Sequence, residues 1–373
     1  MNKISSWTCE PLPLDVTRRI ERMAADDDVV RMAIMPDVHL AADYCVGTVV
    51  ATKSRIFPHA IGGDIGCGML AIRANADASL IDDQSGETLL AMLRRFVPTN
   101  RHSRETAVDS LPAAFRNRTL SDFRLEKKIQ RDGRVQLGTL GRGNHFLEFQ
   151  RDEVGALWLM LHTGSRAMGQ AINATHLALA EKDGGFPFFE DDSDRGQNYW
   201  NDVAWAAEYA SQNRRAILKV IEEIFDAMFG VEFDDESLIE TDHNHLRREI
   251  VDGTSVWVHR KGAQSAEDGL PAIIPGSMGT ASYHVEGRGS AAALNSSSHG
   301  AGRRLTRTAA RSQTTTREVR RQLRDVIFDQ RLERALREEI PSAYRDIRRV
   351  MKAQKELVKI TRKLTPILSY KGA

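Results

Sequence analysis

LWLMLHTGSR, residues 157–166, holds the pattern from which the rest of the chain is read. Five consecutive apolar residues are too short a run for a helix and stop against a Thr-Gly-Ser turn. Leu157–Leu161 is therefore predicted as a buried strand that ends at a polar side chain, His162. The pattern returns on both sides. VVRMAIM (29–35) runs into a turn at Pro36-Asp37, Gly47–Ala51 is a short β-rich run, and Val256-Trp257-Val258-His259 is strand-like. Ile273 and Ile274 run into Pro275-Gly276-Ser277-Met278-Gly279, and two glycine-dense loops lie at Ile61–Gly68 and, after Val135-Gln136-Leu137, at Gly138–Gly143. Helical spacing fills the intervals: Leu80, Leu89, Leu90 and Leu93 within 79–96, and Ala204, Ala207, Ala210, Ile217 and Ile221 within 199–229. After Ala309 the chain turns helical and Arg-rich, broken by Pro341. Periodicity thus predicts a mixture of α and β, with chemistry kept in loops at strand ends. No linker-like stretch divides the chain, so residues 1–373 are expected to form one domain whose last part, 303–373, is a basic helical segment.

Composition bounds the function. With 373 residues, 41% of them hydrophobic, the chain has enough apolar content for a real core and is not a disordered protein. Three cysteines, Cys9, Cys45 and Cys67, exclude a disulfide scaffold. No run approaches the ~20 apolar residues of a membrane span, and Met1–Val16 lacks the apolar stretch of a secretory signal. A cytoplasmic protein with no membrane partner is expected. The formal net charge of +1 hides an asymmetry: from 303 to 373 there are 20 Lys and Arg against 8 Asp and Glu, which leaves the remainder acidic. Such a segment suits a polyanion such as nucleic acid, and equally a salt-bridged, solvated helix face.

Five potential metal ligands stand in the loops: Asp64 and Cys67 in GGDIGCG, His145 in GRGNHFLE, His162 in LHTGSR and His243 in DHNHLRRE. Thiolate, imidazole and carboxylate together suit a borderline first-row cation, and not Mg²⁺ or Ca²⁺ alone. Five ligands exceed what a four-coordinate structural site needs, which allows two neighbouring ions bridged by the Cys67 sulfur, an arrangement typical of phosphoryl chemistry. His299 lies in NSSSHGAGR, among small residues and with Arg303 behind it. An approachable neutral imidazole can attack phosphorus and form a phosphoramidate, provided that a cation offsets the phosphate charge. The Pro275–Gly279 turn could present N–H groups to a phosphate or base edge. No GxxxxGK[ST] and no strand–GxGxxG–helix occurs, so a nucleotide would be held by another device. On their own, Tyr344 and Lys371 pass as surface residues.

Taken together, the chain resembles the RtcB family of RNA-splicing ligases over nearly its whole length. The likeness is carried, in order, by MPDVH (35–39), GGDIGCGM (62–69), LGTLGRGNHFLE (137–148), HTGSR (162–166), YASQNR (209–214), HN (243–244), VHRKGA (258–263), PGSMGTASY (275–283), SHGAGR (298–303), AYRD (343–346) and the terminal KG (371–372). The resemblance implies an α+β fold with short strands in packed mixed sheets surrounded by helices. It implies the joining of RNA ends bearing a 2′,3′-cyclic phosphate or 3′-phosphate to 5′-hydroxyl ends with GTP and Mn²⁺, in RNA repair or tRNA splicing. Asp64, Cys67, His145, His162 and His243 would be ligands of two Mn²⁺ ions, and His299 the catalytic residue that becomes guanylylated. The expected guanine-nucleotide contacts are Asn144, His145, Phe146, Leu147, Glu148, His243, Asn244, Pro275, Gly276, Ser277, Met278, Ser282, His299, Gly300, Ala301, Gly302 and Lys371, with Tyr344 packing near the base. Implied partners are RNA with broken ends, either tRNA halves or nuclease-nicked RNA, and the archease accessory protein.

Two stretches depart from the family pattern and mark a divergent subgroup. Leu40-Ala41-Ala42-Asp43-Tyr44-Cys45 stands where a Gly-x-Gly stretch usually follows MPDVH, and Gly63 replaces the usual valine before the motif aspartate. A competing mechanism is that of a calcineurin-like metal-dependent phosphoesterase, since Asp37-Val38-His39 mimics its D-x-H and Gly143-Asn144-His145 its GNH. Phe146 follows where that class has an acidic residue, however, and Cys67 would have no role. A catalytically silent RNA-binding paralogue is the non-enzymatic alternative. Retention of His299, Cys67 and Lys371 together argues against it.

Overall fold

Residues 3–41, 44–103, 105–115 and 118–372 are described by the structure, a computed structural model. Ala42 and Asp43, within the departing stretch, lie outside them. The architecture is α+β, as expected. A large sheet runs in the spatial order Pro271–Ile274, Ser282–Gly287, Val358–Lys371, Phe146–Arg151, Ala156–Thr163, Gly68–Asp77, Phe233–Asp242, with Ile327–Phe328 added in parallel to Val358–Lys371. A five-stranded sheet has the order Ile4–Ser6, Val29–Leu40, Cys45–Thr52, Thr254–Lys261, Asn244–Val251. Its first pair is parallel and the rest are antiparallel.

Alternation along the strands explains the layers. In Gly68–Asp77, Leu70, Ile72 and Ala74 join one apolar cluster, while Met69 and Ala71 join another on the opposite face. The first cluster is covered by helix Asp83–Phe96, through Leu89, Leu90 and Leu93, and by the far half of the long helix Asp194–Phe229, through Ile217, Ile221 and Phe225. Met35, Val49 and Val258 of the five-stranded sheet meet Ile274, Tyr283 and Val285 of the large one, so the two sheets share a core. Helix Leu14–Ala24 covers the other face of the smaller sheet with Val16, Ile20 and Met23. The long helix begins at Ser193, whose hydroxyl accepts from the Gly196 N–H (3.0 Å), and stops at Gly230 in the left-handed region. No helix among the described residues is long and apolar enough to cross a membrane.

Three local expectations are corrected. On the long helix Ala204 is exposed and Ala207 only half-buried; Val203, Ala206 and Tyr209 carry the buried face with Ala210. The strand expected to stop at Met35 continues through Pro36 to Leu40, with a register shift between Ile34 and His39 that accommodates the missing N–H. The segment 303–373 is helical only in short pieces as far as Ala353; Val358–Lys371 is a 14-residue strand inside the large sheet.

Candidate active site

Four neighbouring strands of the large sheet present their ends side by side. Phe146 pairs with His162, Gly68 with Thr163, and Gly68 with Asp242. His145 precedes the first of these strands, His162 lies near the end of the second, Cys67 precedes the third and His243 follows the fourth. All four side chains therefore meet at one edge. Main-chain bonds lock the junction: His243 N–H donates to Cys67 O (2.9 Å) and Cys67 N–H to Asp64 O (3.1 Å). Glycine is required at 68, where a Cβ would lie 2.1 Å from the Thr241 carbonyl oxygen.

The ring orientations indicate what this cluster can hold. His145 Nδ1 lies 3.1 Å from the Leu140 carbonyl oxygen and His162 Nδ1 lies 3.1 Å from that of Asn144. A carbonyl only accepts, so both rings carry their proton on Nδ1 and turn an Nε2 lone pair inward. There, His145 Nε2 stands 3.4 Å and His162 Nε2 3.2 Å from Cys67 Sγ. His162 Nε2 is also 3.3 Å from His243 Nε2, and His145 Nε2 is 2.9 Å from Asp64 Oδ2. Lone pairs facing one another at such distances repel unless a proton or a cation lies between them, and a metal ion could take that place. His243 Nδ1 is buried without a hydrogen-bond partner among the described residues. Burial drives the His162 and His243 pKa values well below the usual imidazole range and keeps both rings neutral. Burial, with Asp64 adding to it, pushes the Cys67 thiol well up, so a cation binding here would displace its proton. The residues fit a borderline divalent metal.

His299 enters from a separate two-stranded ribbon. It follows strand Ser296–Ser298, which pairs with Ala263–Ser265, and its ring centroid is 4.7 Å from that of His243. Nδ1–H donates to Asp37 Oδ2 at 2.6 Å, and Asp37 is fully buried. The carboxylate fixes the proton on Nδ1 and leaves the Nε2 lone pair available. Gly47, at φ +80°, lets the Asp37 segment come close, since a Cβ there would lie 2.7 Å from Val38 Cα.

Both histidine groups border a cavity of about 430 Å³. Phe146 and Glu148 line it, whereas Leu147, between them on the strand, points into the apolar core. His145 stands in the ligand cluster behind the lining. The other expected residues, Asp64, Cys67, Asn144, His162, His243, Asn244, Pro275, Gly276, Ser277, Met278, Ser282, His299, Gly300, Ala301, Gly302, Tyr344 and Lys371, all border the cavity. Asn244 also braces the site, donating to Asp64 O (3.0 Å) and accepting from Gly262 N–H (2.8 Å). Glu148 accepts from Gln150 (2.6 Å), and burial pushes its carboxyl up to about 8.

At the far end Glu339, 3% exposed, accepts from Lys371 Nζ (2.8 Å), from the Tyr344 hydroxyl (2.7 Å) and from Arg303 (3.2 Å). Asp37 and Glu339 are the functional positions that sequence reasoning missed. Asp37 sits inside the quoted MPDVH, but 262 residues separate it from His299. Glu339 sits in EEIPSAYRDI, which reads as an exposed helical run.

Residues 19–372 match the family model described as tRNA-splicing ligase RtcB. The chain is 34% identical to RNA-splicing ligase RtcB of Escherichia coli K12, over 99% of this chain and 97% of that protein. It is 30% identical to tRNA-splicing ligase RtcB of Methanococcus maripaludis, over 91% of this chain and 88% of that one. The same name and identity hold for a relative in Thermococcus kodakarensis, over 91% and 87%.

Proposed function

The chain belongs to the RtcB family of tRNA-splicing ligases, and from that premise we propose that it is an RNA ligase. In this reading it uses GTP and Mn²⁺ to join 2′,3′-cyclic phosphate or 3′-phosphate ends to 5′-hydroxyl ends, through a histidine–GMP intermediate. It would act in the reducing cytoplasm on tRNA halves or nicked RNA, with archease as an accessory.

The observation that carries this reading is His299, fixed by Asp37 at 2.6 Å and set against a converging Cys/His cluster on one cavity. Asp64, Cys67, His145, His162 and His243 would hold Mn²⁺, which would offset negative charge on phosphoryl oxygens. His299 Nε2 attacks the α-phosphorus of GTP; a P–N bond forms, the bond to the β-phosphate oxygen breaks and pyrophosphate leaves. Asp37 keeps the proton on Nδ1 and offsets the positive charge that the ring then carries. The RNA 3′-phosphate, released by hydrolysis where the end is cyclic, attacks the His299-bound phosphorus and takes the GMP. The 5′-hydroxyl of the second end then attacks the activated phosphate and expels GMP. Lys371, Tyr344, Phe146 and Glu148 would hold the guanine, with the Pro275–Met278 turn, Ser282 and the Gly300–Gly302 backbone around it. A phosphoesterase reading finds less support, because Asp37 binds His299 and takes no place in the ligand cluster.

The test is covalent labelling with Mn²⁺ and α-labelled GTP. An acid-labile, alkali-stable band is expected, absent in His299→Ala and lost together with Mn²⁺ in Cys67→Ser. His299→Ala should still seal RNA carrying a preformed 3′-guanylyl cap. No band from metal-loaded protein would overturn the reading.

A further inference from the structure

Much of the basic surplus after residue 303 is neutralised locally. Arg311 pairs with Glu338, Arg320 with Glu333, Arg331 with Asp329 and Arg362 with Asp152. One region differs. A groove of about 640 Å³ lies across Tyr344 and the 277–282 turn from the cavity, and five cations line it: Arg304, Arg345, Arg348, Arg349 and Lys363. Two carboxylates, Glu10 and Asp346, line it with them, and Glu153 accepts the Lys363 main-chain N–H (2.7 Å). Glu10 meets Arg345 at 3.3 Å and Asp346 meets Arg348 at 2.9 Å. Arg304 and Arg349 are both exposed, and among the described residues their side chains donate to neutral carbonyl oxygens, of Ser342 (3.4 Å) and Cys9 (3.1 Å), with Asp346 acting on Arg349 through space. Such bonds orient a guanidinium without cancelling its charge.

We infer that this groove is where an RNA strand lies as it approaches the cavity, its phosphates on Arg304, Arg349 and Lys363. Cations with charge left over, placed along a groove, match the phosphate backbone of a nucleic acid. The groove also touches the catalytic frame. Arg345 donates to the carbonyl oxygens of Val38 (2.7 Å), Asp37 (3.2 Å) and Arg303 (3.1 Å), residues that border or brace His299. A strand held there is therefore registered against the nucleophile by main-chain contacts. The inference rests on the RNA-ligase reading above and names the surface that would take its substrate.

The experiment measures binding of a fluorescent single-stranded RNA of about twenty nucleotides, bearing a 3′-phosphate, to the metal-loaded protein without GTP, over a series of salt concentrations. Arg304→Gln, Arg349→Gln and the exposed-site Lys363→Glu are compared with the parent, and thermal midpoints check folding. Each Gln variant should weaken binding several-fold and reduce the slope of log affinity against log salt by about 0.7. Lys363→Glu should weaken it further. Unchanged affinity and slope in all three folded variants would overturn the groove. Failure of the parent to take a GMP label would instead strike the ligase reading. The binding series is read without GTP, so the two failures are distinguishable.

Discussion

A histidine that is to attack phosphorus must offer a lone pair, and which nitrogen carries it depends on what the other one binds. In His299 the answer lies with Asp37, whose buried carboxylate can only accept. Asp37→Asn keeps the size but lets the amide donate to Nδ1, which moves the proton to Nε2 and removes the lone pair that the proposed attack needs. By analogy with the loss of an orienting carboxylate in hydrolase triads, the rate of GMP labelling should fall on the order of 10²–10⁴-fold. Metal content should stay at the parent level. A variant labelled at the parent rate would show that Asp37 does not set the tautomer. At this scale the sequence was most legible where glycine loops flagged a polar side chain, as with Asp64, Cys67 and His299. It did not join Asp37 to His299, nor mark Glu339, because their partners come from distant segments, and a lone carboxylate in a run carries no mark of burial.

Strand Thr254–Lys261 shows how a single element is fastened. His259 accepts the Phe57 N–H on Nε2 (3.0 Å) and donates from Nδ1 to Val50 O (3.1 Å), so its neutral form closes a loop onto the sheet. Burial pushes its pKa down to about 4. Unfolded, the ring takes a proton near pH 6.5, whereas the native ring refuses it until about 4. The stabilisation is therefore whole above pH 6.5 and is lost as pH falls towards 4, to the extent of about 3 kcal/mol. Urea midpoints measured from pH 7 to pH 4.5 should decline, and the decline should be shallower in His259→Gln. An equally steep decline in the variant would remove His259 from the account. Elements with clean patterns were legible: apolar runs such as Leu157–Leu161, and the body of the long helix, though not its Ser193 start or its buried face. Val358–Lys371 was not. Its alternating charges, VKITRK, and Pro366 suggest a solvated or broken segment, yet the proline falls at a register break and the last residues turn apolar inside the sheet.

Across the whole molecule, the site exists only because two sheets bring loops together from positions 37 to 371. The strand that binds this assembly is Val358–Lys371, which lies between Ser282–Gly287 and Phe146–Arg151 and places Leu364, Leu368 and Tyr370 in the interior. A chain ended after Gln354 would leave two open edges and lose those buried side chains, and stabilities of ordinary domains cannot absorb that. Such a truncation should be insoluble or should lack a cooperative thermal transition. A sharp transition at the parent midpoint would contradict the central role given to this strand. The composition made a core and a basic segment legible, but not this closure, because pairing between strands more than 200 residues apart leaves no local trace. The order of synthesis gives the same strand another consequence. Phe146–Arg151 and Ser282–Gly287 emerge from the ribosome well before the strand that must lie between them, and Lys371 is made after everything it serves. The growing polypeptide thus has no finished cavity until Val358–Lys371 has come free to take its place between them.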